Sequence, residues 1–485
     1  MTALMDWSYD LLTAREQRFF ESLSIFAGGC TIDAATTACA AEGEGEIQIV
    51  DLVASLATKS LLVAELTGNE ERYRLLESSR QYAREKLAAR GELDKVARRH
   101  ALVYVELAEQ LERAWGTTPD RAWLPQAQVE LENWRAALEW ALGKRGDVVL
   151  GQRLAAARTV RRTFTLAEGR RWVRASLELV DRLTPPALVA RLEQAEADAA
   201  GELGEHQVAL AAAERALARY RQLGDILGSA QAQDSAAGSL VLLGRPAEAE
   251  PMLREALEAA RTLGDRRLTA RALQKIGWIE SAAGDFAGAR VHLTKALAMA
   301  QVLGTESFAA SVAVSLADNE FRAGDCEAAL RLTADLVANS SSLSASPIIA
   351  VALVNMAAYL IALGRYDEAR VNATDALERA RALRVVVLVD LSLLHLALVA
   401  VLKPDIERRR SSTKYVAAAR LFGFVDAHLA TMGGIGHSGL QREYDRALAV
   451  LHDAIDAGDL VHLMAAGAIM IEDEAIDQAH AIDRM

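Results

Sequence analysis

The sequence predicts an all-α chain of repeated helical hairpins, preceded by a small module of three helices and a two-stranded β-hairpin. Three observations carry that expectation. Hydrophobic residues are 52% of the 485, yet aromatics are only 5% and prolines number 8, so the strong helix formers Ala and Leu dominate. Glycines stand at 204, 224, 244, 264, 284, 304, 324 and 364, a ladder of equal steps broken only at Ser344. Finally, "AAGDFAGAR" at 282–290 returns as "LLGRPAEAE" at 242–250, "RAGDCEAAL" at 322–330 and "ALGRYDEAR" at 362–370.

The opening segment, 1–95, reads as the module. "TARE" at 13–16 carries a capping box of Thr13 and Glu16, which opens a helix that turns Phe19, Phe20 and Leu23 inward. A second helix follows "AGGCTIDAA", and a third runs from about Glu46 to Lys59. "LLVAEL" and "RYRLLE" then flank "TGNEE", the signature of a hairpin with a glycine-containing loop. Three helices followed by a β wing is the winged-helix order. The third helix, "EIQIVDLVASLATKS", offers one Lys and, in Gln48, one amide. Base recognition and phosphate anchoring both want more donors than that. A structural or regulatory role is expected, with a DNA-binding transcription factor acting through the winged helix as the alternative.

Residues 96–185 read as a helical linker with a degenerate repeat, since Phe164, Gly169 and Ser176 fall on the later lattice. Trp115, Trp123, Trp134, Trp140 and Trp172 gather there as apolar packing. Residues 186–384 form the repeats. A helix of about sixteen residues closed by a glycine, then a second helix, makes one hairpin of forty residues. Small residues mark the contact between its two helices: Ala197, Ala237, Gly277, Ala317 and Ala357 before the glycine, and Ala209, Ala249, Ala289, Ala329 and Ala369 after it. Ala216, Ala256, Ala296, Leu336 and Ala376 follow, while Leu253, Leu293, Leu332, Leu336 and Leu377 supply an apolar stripe. Only small side chains let helix axes approach closely. Residues 385–485 are read as a C-terminal helical cap, because a repeat stack needs atypical ends.

These positions resemble the tetratricopeptide repeat. The unit at 270–300 carries Leu273, Gly277, Gly284, Phe286, Ala289 and Ala296, with Tyr366 standing for Phe286 in the unit at 364. The family period is shorter than forty, so these helices are lengthened by nearly a turn each. The resemblance implies a right-handed superhelix whose concave surface is lined by the first helix of each hairpin. On that pattern Gln231, Asp234 and Val241, then Arg271, Gln274, Trp278 and Ser281, then Ser311, Asp318 and Phe321 face inward. Gln231, Asp234, Arg271, Gln274, Trp278, Ser281, Asp318 and Phe321 are the candidate binding residues, a set suited to an extended or helical peptide.

A wider resemblance spans nearly the whole chain. "DWSYDLL", "LSIFAGG", "LLVAEL", "RYRLLESSRQYAREKL", "RRHALVYVELAE", "ENWRAALEWAL", "AEGRRWVRASLEL" and, near the end, "AAARLFGFVDAH" and "EYDRALAVL" look like the region that follows the ATPase core in bacterial signal-transduction ATPases with numerous domains. Those regulators often carry a LuxR-type, SARP-type or adenylate-cyclase domain. Their Gly-rich loop ending in Lys and Ser or Thr is missing from this sequence, so ATP hydrolysis is not expected. A LuxR-type tail is missing too, the chain closing on "IEDEAIDQAHAIDRM". The resemblance implies a sensor and regulatory half cut off from its motor, either a fragment or a stand-alone adaptor. Its repeat array would bind a protein, peptide or small ligand, and a protein partner could be a separate ATPase or transcription-regulator domain.

Charge and motifs narrow the function classes. A formal net charge of -12 opposes nucleic-acid binding through bulk electrostatics, and nucleic acid is not expected as a partner. Cys30, Cys39 and Cys326 fit neither a metal cluster nor a disulfide framework, which suits a reducing cytoplasm and small buried apolar roles. The apolar runs 347–364 and 385–402 carry Asn355, and Asp390 with His395, at mid-depth, so buried helices are expected rather than membrane spans. No histidine pair has metal-ligand spacing and no serine sits in a nucleophile elbow. His437, in the glycine-rich "GGIGHSG", reads as part of a connector, and "KPDIERRRSSTK" at 403–414 as a solvated basic insertion. An enzyme is not expected, nor is any cofactor or metal.

Overall fold

The computed structural model describes residues 2–67, 70–115, 118–339, 343, 346–404, 411–431 and 440–483. The chain forms two compact units, Met1–Ala272 and Leu273–Met485. Among the described residues every element is an α-helix except one antiparallel pair of strands.

The first unit opens with α1 (Thr2–Asp10), α2 (Ala14–Leu23), α3 (Ile32–Cys39) and α4 (Glu46–Thr58), followed by β1 (Val63–Thr67) and β2 (Glu70–Arg74). The expected three helices and wing are thus α2 to α4 and the hairpin, with α1 added in front. The capping box at Thr13 forms: its hydroxyl accepts from the Glu16 N–H at 3.3 Å and its N–H donates to Glu16 Oε2 at 2.8 Å. Glu16 also accepts from Ser55 and, at 2.6 Å, from Lys59 Nζ, so one carboxylate ties the start of α2 to the end of α4. Phe19, Phe20, Ala38, Ile49 and Leu56 are buried between these helices. In the hairpin Val63 lies opposite Arg74 and Glu65 opposite Arg72. Cys30 adds a short third bridge, its N–H donating to the Tyr73 carbonyl at 2.9 Å and its carbonyl accepting at 2.8 Å.

Seven helices continue the unit: α5 (Glu77–Ala89), α6 (Leu93–Trp115), α7 (Asp120–Gln128), α8 (Leu131–Ala141), α9 (Val148–Ala156), α10 (Arg158–Arg161) and α11 (Leu166–Glu178). Trp123 and Trp134 are wholly buried, and Trp115, Trp140 and Trp172 pack partly buried against the same core. A buried polar node fastens the wing to these helices. Glu130 accepts from Arg72 Nη1 at 2.6 Å and Nη2 at 2.9 Å, from the Tyr104 hydroxyl at 3.0 Å and from Asn133 Nδ2 at 2.7 Å. A carboxylate this far from water is tolerated only with such saturation.

The repeats follow as α12 (Pro186–Glu202), α13 (His206–Leu223), α14 (Ile226–Leu242), α15 (Pro246–Leu263) and α16 (Arg266–Ala283), within which the division into units falls. The second unit continues with α17 (Phe286–Val302), α18 (Glu306–Arg322), α19 (Cys326–Asn339), α20 (Pro347–Ala362), α21 (Tyr366–Leu383) and α22 (Val386–Leu402). It ends with α23 (Ser411–Thr431), α24 (Gln441–Ala454), α25 (Ala457–Ala468) and α26 (Glu472–Asp483).

All eight ladder glycines have positive φ, between 62° and 93°, the left-handed region that glycine enters without a Cβ penalty. Each closes its helix in the same way. The Gly224 N–H donates to the Arg221 carbonyl at 3.2 Å and the next N–H, of Asp225, to the Tyr220 carbonyl at 2.9 Å, a pair repeated rung by rung, which satisfies carbonyls left over at the helix end. Where the next residue is Asp it caps the following helix: Asp225, Asp265, Asp285 and Asp325 each accept from the N–H three residues on, at 2.8 to 2.9 Å. A single Gly-Asp dipeptide therefore ends one helix and starts another.

The small lattice positions are buried as the hairpin contact requires. A Cβ on Gly277 would lie 2.7 Å from Leu293 Cγ. The apolar stripe is corrected in one hairpin: Leu332 and Leu336 are only half-buried. Thr333 occupies the buried position equivalent to Leu253 and Leu293, its hydroxyl held by the Ala329 carbonyl at 2.9 Å. The two apolar runs are α20 and α22, and no described helix is long and apolar enough to cross a membrane. In the cap, α23 and α25 touch through backbone: a Cβ on Gly423 would lie 2.0 Å from the Met464 carbonyl oxygen, and one on Gly467 1.9 Å from that of Arg420. Ser344, His437 and residues 405–410 of the basic insertion lie outside the described residues.

Among the described residues one rung lacks its glycine. Arg384 closes α21 at φ 57°, exposed, with the same pair of capping bonds. Arg384→Gly is expected to raise stability by about 1 kcal/mol by removing the left-handed penalty of a side chain; an unchanged or lower urea midpoint would contradict this. Glu16 supplies a pH test. Burial pushes its carboxyl up, but Lys59, Ser55 and Thr13 together outweigh that and bring it down to about 2. A depressed carboxylate stabilises the fold above its unfolded pKa, near 4.3, and that contribution fades as pH falls through 2. Urea midpoints of Glu16→Gln should lie below the native chain's at pH 7 and converge with it near pH 2, whereas parallel curves would disprove the coupling.

Candidate ligand recess

Within the first unit α12 and α14 are buried along most of their length, while α13 and α15 expose one face. In this unit the first helix of each hairpin is thus the more buried one. At the start of the array these helices border a recess with about 50 Å³ of free space, lined among others by Glu112, Arg158, Arg161, Arg191, Gln194, Asp198, Tyr220 and Gln231.

Local sequence explains how the arginines arrive. α9 stops at Ala157, whose extended backbone (φ -70°, ψ 121°) turns the chain before the single turn of α10. Arg158 and Arg161, three residues apart, fall on one side of that turn. Arg191, Gln194 and Asp198 share a face of α12 by their spacing of three and then four. The Arg158 guanidinium stands 4.7 Å over the Trp115 ring, which also carries Arg267 at 4.2 Å, and its backbone N–H donates to Glu112 Oε1 at 3.2 Å. Arg161 donates to the Ala156 carbonyl at 3.1 Å and Arg191 to Glu112 Oε2 at 3.1 Å.

Asp198 sits at the centre. Its Oδ1 accepts from Gln194 Nε2 at 2.8 Å and from Ser235 Oγ at 3.1 Å. Its Oδ2 is shared by Arg158 and Arg161, both at 3.4 Å, longer than the 2.7–2.9 Å usual for a charge-assisted bond. Burial raises the Asp198 carboxyl, yet Arg158, Arg161 and Arg271 prevail and hold it below the ordinary aspartate range. Burial and the charge of Arg158 lower the Arg161 guanidinium.

The residues expected from the sequence fall in several places. Gln231 lines the recess. Asp234 is fully buried and paired with Arg271 at 2.7 Å, and that aspartate, outweighing burial, raises the Arg271 guanidinium. In the second unit Gln274 Nε2 donates to Ser311 and Ser315, 3.1 Å each, and Trp278 Nε1 donates to Ser315 at 2.8 Å. Ser281 is buried nearby on α16. Phe321 is buried with its ring 4.8 Å from that of Tyr359, and burial pushes the half-buried Asp318 carboxyl up. Sequence reasoning did not find Arg158, Arg161, Arg191 or Asp198. The available signal was the basic run "RTVRR" at 158–162, beside the degenerate repeat.

Other features bear on chemistry. α4 exposes Glu46, Ile47, Gln48, Val50 and Asp51, with Gln48 Oε1 accepting from the Gly45 N–H at 2.9 Å, and its following Lys59 is engaged by Glu16. Cys30 and Cys39 are buried, which pushes the Cys30 thiol up to about 12 and Cys39 well above its usual value; both are therefore poor nucleophiles. Among the described residues no three His, Cys, Asp or Glu side chains are grouped to hold a metal ion.

Residues 228–302 match the model of the tetratricopeptide repeat family. A protein of Mycobacterium tuberculosis assigned by inference as an HTH-type transcriptional regulator is 38% identical over 141 residues, 29% of this chain and 16% of that one. An uncharacterised M. tuberculosis protein is 38% identical over 101 residues, 21% of this chain and 26% of its own. The chain thus spans a small part of these curated relatives. Among solved structures, a signal-transduction ATPase with numerous domains and a tetratricopeptide repeat sensor, from Pyrococcus horikoshii, superposes with a TM-score of 0.57 at 15% identity, covering 95% of this chain and 66% of that one. A Rap protein complexed with competence and sporulation factor gives 0.50 at 12% identity, covering 75% and 99%. At these identities the likeness is one of fold: an all-α array of tetratricopeptide-like hairpins with a small two-stranded sheet near its start.

Proposed function

We propose that this chain is a non-catalytic sensor and interaction region of a bacterial signal-transduction or transcription regulator, and that its repeat array binds a protein, peptide or small ligand. The observation that carries this reading is the placement of polar and charged side chains on inner helices that packing alone would fill with apolar ones. Asp198, Gln194 and Gln231 border a recess in the first unit, and Gln274, Trp278 and Ser315 form a hydrogen-bonded cluster in the second. Identity of 38% to part of an inferred HTH-type regulator supports the regulatory setting. On this reading residues 1–95 are a structural module, 96–185 a linker, 186–384 the binding array and 385–485 its cap. The outer face of α4, acidic and apolar apart from Gln48, weighs against DNA contact through the winged helix.

Affinity capture with the intact chain, beside Gln231→Arg and Trp278→Ala variants shown by thermal melting to be folded, tests the proposal. A protein or peptide enriched by the native chain and lost with either variant is the expected result. Equal capture by all three forms would refute binding on the inner helices, and salt-sensitive retention of duplex DNA in a gel shift would favour the transcription-factor alternative.

A further inference from the structure

The recess of the first unit holds long arginine contacts and an unmet buried acceptor that point to one kind of chemical group. Three guanidiniums line it, of Arg158, Arg161 and Arg191, against two carboxylates, of Glu112 and Asp198. Glu112 is committed to Arg191 and the Arg158 backbone. One oxygen of Asp198 therefore serves two arginines at 3.4 Å each, leaving both guanidiniums short of a close partner, although the Glu202 carboxylate also acts on Arg161 from outside the lining. Each guanidinium is held from behind, by the Trp115 ring and by the Ala156 carbonyl, so little ordering remains to be done on binding.

Gln194 supplies the second observation. It is 6% exposed and lines the same recess; its Nε2 is used by Asp198 and Ser235, while its Oε1 is buried without a donor. A buried acceptor left unmade is costly. The free space, about 50 Å³, compares with the ~10–15 Å³ one water-sized probe occupies, so the end group of a ligand fits there.

The geometry points to a binding site for a single carboxylate that carries an N–H or O–H donor beside it, the carboxylate bridging Arg158 and Arg161 and the donor meeting Gln194 Oε1. An α-hydroxy acid and the amide-linked end of a peptide chain both present this group. The inference rests on the reading of the array as a ligand-binding region and gives the ligand's chemistry at one of its sites.

Titration of the full chain with acetate, glycolate and N-acetylglycinate, at fixed ionic strength in a buffer free of other oxyanions, tests it by NMR or calorimetry. Glycolate and N-acetylglycinate should bind roughly tenfold tighter than acetate, the factor of one hydrogen bond to a buried acceptor. Gln194→Leu should erase that preference, Arg161→Met should abolish binding, and Asp198→Asn should tighten all three acids by removing the internal competitor. N-acetyl-triglycine binding tighter than N-acetylglycinate would identify a chain end as the source, and weaker binding a free acid. Equal affinity of the native chain for acetate and glycolate, or no binding by native and Asp198→Asn chains alike, would overturn the site. If a captured partner is still lost with Trp278→Ala, only this inference fails and the broader reading stands.

Discussion

Two helices can lie along each other within a hairpin only where no side chain holds them apart, and that constraint organises most of this chain. Alanine or glycine returns at the same two lattice positions of every hairpin, and at a third in all but one, where Leu336 stands, because a larger residue would displace the partner helix by the width of its own side chain. At Gly277 even a methyl group would meet Leu293. The constraint is geometric before it is energetic: it sets the distance between axes, the distance sets which residues of the next hairpin can be reached, and the repeat follows. The Gly-Asp turns serve the same end, since each fixes the reversal that brings two helices side by side.

The repeats were legible in the sequence because glycine spacing and small-residue spacing both report backbone geometry, which tolerates few alternatives. The position of Thr333 was less so. A threonine reads as polar in a list of residues, yet with its hydroxyl bonded to the Ala329 carbonyl it presents a methyl group to the core, and nearby leucines look like better candidates until the helix is placed. The α1 helix was missed for a related reason, its short stretch having no cap signal as plain as Thr13 and Glu16.

The recess shows where single-sequence reasoning stops. Gln231 was found because the repeat pattern itself selects inward positions. Arg158 and Arg161 lie outside the regular lattice, on a one-turn helix whose direction depends on the break at Ala157, and Asp198 meets them only through folding. Long-range pairs of this kind leave no periodic trace. The same holds for Arg72 and Glu130, fifty-eight positions apart: neither residue looks unusual in its own segment, and their burial together is what joins the wing to the linker helices.

Fourteen of the seventeen residues of α22 are buried, so it has no face suited to water, unlike the other first helices, which need cover mainly from their own hairpin partner and neighbours. A helix of that character belongs in an interior, and α23, α24 and α26 complete it. Shortening the protein from its C-terminus therefore has a natural limit: a boundary drawn just after Leu402 would turn a core helix into a sticky surface, and the shortened chain would be lost to aggregation before any question of binding arose.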